Sequence, residues 1–340
     1  MRLSSTWYAV PAALLGSLSA ACANTAPDRE PLPSQLDRLR VLAIAADPPD
    51  LVPGESATLS ALVFEPSAEP VAYAWSWCPV SVDADSGAAC PIEESLWAEI
   101  WQSAGLAGAP PGYDLGSEPT AALQPNFEPD TEERLCAAID ALGPVAEPAR
   151  VACVDGFEAS IVLIARAAGD EEVSSKSVPF LPDGTPPEAR NHNPEPLGDV
   201  SVSGAGTDEP PISDATLVTG RTYALRVELD EGLSETLPEA PAGDAEATGE
   251  ARETLVLSWF VTPGELRDPA EDDQGFGPFE DDTQRTVYVP GQSDLEEFLE
   301  NGWSLPFSDR PAAELILVLR DGRGGVAWRQ YDFALVGETP

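Results

Sequence analysis

The chain is 340 residues long and carries a formal net charge of -41, from 59 acidic and 18 basic residues. A body this acidic repels phosphate backbones and anionic lipid headgroups, which argues against nucleic-acid binding and against electrostatic adsorption to a membrane. Its excess of Asp and Glu also keeps it soluble.

The chain opens MRLSSTWYAVPAALLGSLSAAC. Arg2, an apolar run from Trp7 to Leu18 and the small residues Ser19, Ala20 and Ala21 before Cys22 make residues 1–21 an export signal. The run is too short, and too interrupted by Pro11, for a membrane span of about 20 apolar residues. LSAAC resembles the lipobox of bacterial lipoproteins, with Ser19 where that family usually has Leu; Ser19-Ala20-Ala21 also suits ordinary signal peptidase. The resemblance implies lipidation of Cys22, and Ala23 after it points to the outer membrane of a Gram-negative cell, facing the periplasm or the outside. Five cysteines are an odd number for an exported protein. With Cys22 carrying lipid, Cys78, Cys90, Cys136 and Cys153 remain as an even set for disulfides. Residues 22–35, polar and rich in Pro, read as a lipidated tether.

A first domain is expected over 36–182. LRVLAIAADPPDLVPGESATLSALVFEP alternates around a Pro-Gly turn and predicts two antiparallel strands; VAYAWSWCPV predicts a third, with Tyr73, Trp75 and Trp77 on one face. FEASIVLIARAAGDEEVSSKSVPFL predicts two more around Gly169-Asp170. Between them lies an insertion, 91–150, longer than a bare loop. Leu96, Trp97, Ile100 and Trp101 recur there at helical spacing, and Leu135, Ala138, Ile139 and Leu142 form a second stripe behind an Asp130/Glu133 capping box, stopped by Gly143-Pro144. Pairing Cys78 with Cys90 and Cys136 with Cys153 would close two short loops; it is one of three possible connectivities. Zinc lacks a CxxC pair or a nearby His.

Residues 183–197 (DGTPPEARNHNPEPL) read as a linker whose Pro, Gly and Asn density argues against packed structure. The same order of segments then recurs over 198–337: LVTGRTYALRVEL answers LVPGESATLSALV, and ETLVLSWFVTPG answers VAYAWSWCPVS. SDLEEFLENGW predicts a helix capped by Ser293 and Glu296 and ended by Asn301-Gly302. The acidic loop before it gathers Asp272, Asp273, Asp281 and Asp282, for which calcium is the possible cation; the spacing matches no EF-hand, a solvated charge run is the plainer reading, and no cofactor is otherwise implied.

The last stretch, LILVLRDGRGGVAWRQYDFALV, poses the one motif question. A phosphate loop needs a helix after its glycines, whereas VAWRQYDFALV alternates as a strand, so Gly322, Gly324 and Gly325 predict a hairpin corner. The Trp-bearing third strand, the Pro-Gly corner and this final hairpin resemble immunoglobulin-like modules of bacterial surface proteins, akin to polycystic-kidney-disease and cadherin-like repeats; the whole is similar to myxobacterial lipoproteins. The resemblance implies a mostly β protein of two immunoglobulin-like antiparallel β-sandwiches, the first with a helical, disulfide-bearing insertion, and a surface location. The one His, His192, stands in the linker, and no Ser occupies a nucleophile elbow. The expectation is a non-catalytic envelope lipoprotein, held to the membrane by its lipid, that binds or scaffolds another envelope protein or glycan. The alternatives are carbohydrate or peptidoglycan recognition by stacking on Trp97 and Trp101, and calcium-dependent adhesion.

Overall fold

The computed structural model describes residues 33–82, 89–195, 197–204, 216–229, 233–237, 252–267, 284–288 and 298–337. In the first half, β1 (Arg40–Asp47) and β2 (Ala57–Phe64) pair antiparallel. Gly54, at φ 84°, takes the left-handed turn between them. β3 (Ala72–Cys78) turns Trp75 and Trp77 inward, and their indole N–H groups donate to the carbonyls of Glu118 and Gly112. β4 (Asp114–Gly116), β5 (Thr120–Leu123), β6 (Glu158–Ala167) and β7 (Asp170–Pro179) complete two sheets, ordered β1-β2-β5 and β4-β3-β6-β7. Ile44, Leu59, Trp75, Leu123, Leu163 and Val178 fill the space between them.

The second half holds β8 (Val200–Gly204), β9 (Thr216–Val218), β10 (Thr222–Glu228), β11 (Leu255–Thr262), β12 (Glu265–Arg267), β13 (Gln284–Tyr288), β14 (Phe298–Ser304), β15 (Ala312–Asp321) and β16 (Val326–Val336). Its sheets run β12-β14-β10-β8 and β13-β11-β15-β16-β9, around a core that includes Leu225, Trp259, Trp303 and Leu317. The central strands repeat the first half: β8-β10-β14 answers β1-β2-β5, and β13-β11-β15-β16 answers β4-β3-β6-β7. This is the immunoglobulin-like Greek key, with a buried Trp on the same strand of each copy, Trp75 on β3 and Trp259 on β11.

Three expectations need correction. The helix predicted over SDLEEFLENGW is absent where the segment is described: Phe298–Ser304 is β14, paired along its length with β10. A helix cap is worth about 1 kcal/mol, while strand pairing satisfies seven residues of backbone and buries Leu299 and Trp303 in the core. The Asp130/Glu133 capping box does not form either. Asp130 makes no capping bond to the helix and lies 3.6 Å from Arg134; the Glu128 N–H donates to the Thr131 hydroxyl instead. Finally, the helical, disulfide-bearing insertion is present, but 91–150 also holds β4 and β5, which belong to the sandwich.

The helical parts are α1 (Glu94–Ser103), α2 (Thr131–Leu142), a 3-10 turn over Gly143–Ala149 and α3 (Arg150–Asp155). Their apolar stripes meet in a second, smaller core of Trp97, Ile100, Trp101, Leu135 and Ile139, closed by Phe127 and Phe157. Cys78–Cys90 and Cys136–Cys153 are disulfide-bonded beside it.

β1 is buried on both faces. Ile44 and Ala46 point into its own sandwich, while Leu42, Ala43 and Ala45 point out, towards Phe260 on β11 and Ile316 and Val318 on β15. β15 divides likewise, with Leu315, Leu317 and Leu319 inward and Ile316 and Val318 outward. The two sandwiches therefore share an apolar seam, joined by Leu36, Leu62, Phe64 and Val326. The segment ahead of β1 crosses it: Leu36 N–H donates to the Val261 carbonyl at 3.0 Å, and Val261 N–H to the Ser34 carbonyl at 2.9 Å.

Candidate functional site

The rim of this seam gathers ionisable groups taken out of water, an arrangement that marks functional positions more often than plain surface does. Its floor is the corner between β15 and β16. Asp321 Oδ1 accepts the backbone N–H groups of Arg323 and Gly325, at 2.8 and 2.7 Å, which winds Asp321 to Gly325 into a tight turn. Gly324, at φ 105°, supplies its left-handed residue, and a side chain on Gly325 would run into the Asp321 carboxylate and stand 2.7 Å from the His192 carbonyl. The glycine-rich stretch is thus a corner, but one built to be approached closely by residues 189–193.

Those residues form a strap fastened to both sandwiches. On the first, Arg190 donates from Nη1 and Nη2 to Glu55, at 2.9 and 2.8 Å, and from Nε and the same Nη2 to Asp50 Oδ1, at 3.0 and 2.9 Å. The bond from Arg190 holds the Glu55 carboxyl below its usual range, and the carboxylates in turn raise the guanidinium. Asn191 donates its N–H to Asp50 on the first sandwich and its side-chain amide to Asp321 on the second, at 2.7 and 3.1 Å. Asn193 does the same with one side chain, donating to the Ala46 carbonyl of β1 and accepting from the Val326 N–H of β16. The reading of 183–197 as unpacked linker fails at these positions: Asn191 is 3% exposed. Asn is frequent in loops because its amide satisfies backbone groups, and here those groups belong to two sandwiches.

Two further cations cross from one half to the other. Arg320 of β15 donates to Ser258 and to the Leu42 carbonyl of β1. Lys176 of β7 donates to the Gly324 carbonyl, and burial lowers its ammonium to about 8 against the opposing pull of Asp321. On the far side of the corner, Arg323 donates to the Ala189 carbonyl and faces Glu235 at 3.4 Å and Glu253 at 3.9 Å. His192 meets Glu235 at 2.9 Å through Nδ1.

Sequence reasoning named none of the fastening residues except His192. A signal was present, since continuous apolar runs in β1 and β15 mark strands covered on both faces. The residues it did name fall elsewhere. Trp97 and Trp101 are 1% and 3% exposed and meet edge to face at 5.8 Å, so neither offers a ring face to a sugar; their place on one helical stripe made them core. Cys22, Asp272, Asp273, Asp281 and Asp282 lie outside the described residues. Among the described residues no group of three or more His, Cys, Asp or Glu is placed to hold a metal ion, and no helix is long and apolar enough to cross a membrane.

No family model and no curated relative matches the chain. Among solved structures it is similar to a conjugative transposon lipoprotein from Bacteroides eggerthii, at 19% identity over 39% of this chain and 95% of that one, TM-score 0.21. It is also similar to the Yersinia pseudotuberculosis adhesin InvE, at 9% identity over 86% and 58%, TM-score 0.18. A chimeric titin Z1Z2-Z1Z2 tandem matches at 9% identity over 89% and 98%, TM-score 0.20. The immunoglobulin-like assignment stands on the strand order and buried tryptophans given above.

Proposed function

We propose that this protein is a non-catalytic envelope lipoprotein, anchored in the outer membrane through Cys22, whose two sandwiches form a stiff arm that holds or scaffolds another envelope component. The observation supporting this most is the seam. Domains joined by a bare Pro-Gly linker move relative to one another, and an arm that presents or spaces a partner gains from fixed placement. An apolar face on β1 and β15, with Asn191 and Asn193 each bonded to both halves, supplies that placement. An immunoglobulin-like fold assigns no chemistry of its own, so the partner is a matter of loops and edges. The myxobacterial likeness rests on the sequence alone.

The test uses the full chain in cells fed labelled palmitate, followed by photo-crosslinking from single positions on the exposed strand β7. Expected are label and outer-membrane partition for the native chain, loss of both for Cys22→Ala, and a reproducible crosslink to one envelope component. A native chain that takes no label and washes into the soluble fraction sinks the anchor. A purified body that turns over a substrate sinks the non-catalytic half.

A further inference from the structure

Behind the strap, one carboxyl lacks what a buried carboxylate needs. Glu253 precedes β11 and is 3% exposed. Its Oε1 accepts the Glu235 N–H at 3.1 Å, while its Oε2 has no hydrogen-bond donor. The facing cation, Arg323, stands 3.9 Å away, pairs with Glu235 at 3.4 Å and gives its other nitrogen to the strap at Ala189. Asp321 holds the turn on the same side, its Oδ1 on two backbone N–H groups and its Oδ2 on Asn191. Of the remaining charged groups, Lys176 reaches the corner from β7 and bonds Gly324, His192 bonds Glu235 from the strap, and Arg252 bonds the Ser234 carbonyl. Two carboxyls, Glu235 and Glu253, thus converge on one guanidinium, and the Asp321 charge acts on Glu253 from the turn. Desolvated like charges of this kind shed one charge by binding a proton.

We propose that Glu253 is a proton-binding site that governs the strap: protonated, it leaves Arg323 free to hold Ala189 and Asp321 free to hold Asn191; ionised, it competes for the first and repels the second. A protonated carboxyl drops its charge, so the buried oxygen that no donor reaches no longer carries an uncompensated anion. The electrostatics point the same way. Burial, followed by the Asp321 and Glu235 charges, pushes Glu253 up to about 7, with the Glu235 N–H and Arg323 pulling against it. A raised acid favours the closed state at low pH. Its contribution is complete below the ordinary value of 4.5 and is lost as pH rises through about 7.

The experiment is hydrogen exchange on the full chain at the Gly325 and Val326 amides, corrected for intrinsic rate, at acid and at slightly alkaline pH. Protection in the native chain is expected to fall by about tenfold or more across that interval, since each unit of differential proton affinity is worth a factor of about ten. Glu253→Gln, which keeps the shape and cannot ionise, is expected to hold its protection level throughout. Unchanged protection in the native chain, or an equal fall in the variant, overturns the proposal. Should Glu253→Gln not fold, carbon NMR of labelled glutamate carboxyls in the native chain decides: a Glu253 midpoint near 7 upholds the site, and an ordinary one near 4.5 ends it.

Discussion

The two sandwiches share a strand order and differ in how they are held. The first has, besides its sheet core, a helical cap with its own aromatic cluster, and both disulfides lie in it. The second holds no disulfide among its described residues and packs one core around Trp259 and Trp303. The difference follows from what each carries between strands. Helices leaving a sheet need a separate surface to bury, and a small core benefits from staples that limit the unfolded chain.

The comparison can be broken most directly at the tryptophans. Trp259→Ala and Trp75→Ala each empty a fully buried position, at an expected cost of about 3–5 kcal/mol in urea unfolding. The first should unfold the second sandwich ahead of its neighbour, and equal loss of both halves would mean that the seam makes them one cooperative unit. Next in size is Cys136→Ser with Cys153→Ser. Opening a loop of 17 residues is expected to cost about 3 kcal/mol, confined to hydrogen exchange in the first sandwich. Protection lost in β11 or β15 would contradict that division. Asn193→Ala removes two bonds between halves, about 1–2 kcal/mol, and should separate one calorimetric transition into two. Smallest is Lys176→Met. Because burial lowers Lys176 to about 8, the native chain gains stability as pH rises from there towards 10.5, and the variant should lack that alkaline rise in its melting temperature.

Most of the strands could be seen in the sequence because each sandwich face imposes alternation, as in Tyr73, Trp75 and Trp77 or in Val326 to Val336. The helical stripes of α1 and α2 were visible for the same reason. The segment around Leu299 was misread because capping chemistry is local, whereas the pairing that overrides it comes from β10, some 70 residues away in the chain. The strap was hidden for a related cause. RNHN is loop composition by itself, and only the arrival of Asp50, Ala46, Asp321 and Val326 gives each polar atom a partner. The proton site was least legible, since one Glu among 59 acidic residues has no distinguishing neighbour in sequence.

The stitch between Ser34–Leu36 and Val261 also dictates an order of events. The first half of the chain leaves the ribosome before β11 and β15 are made, so the residues of the outer β1 face, Leu42, Ala43 and Ala45, have no mate until the second half follows. Nascent chains in that condition are prone to stick to one another, and the interval lasts on the order of ten seconds at ordinary elongation speeds. The same stripe that joins the halves in the finished protein is therefore the surface most open to mispairing before the second half arrives.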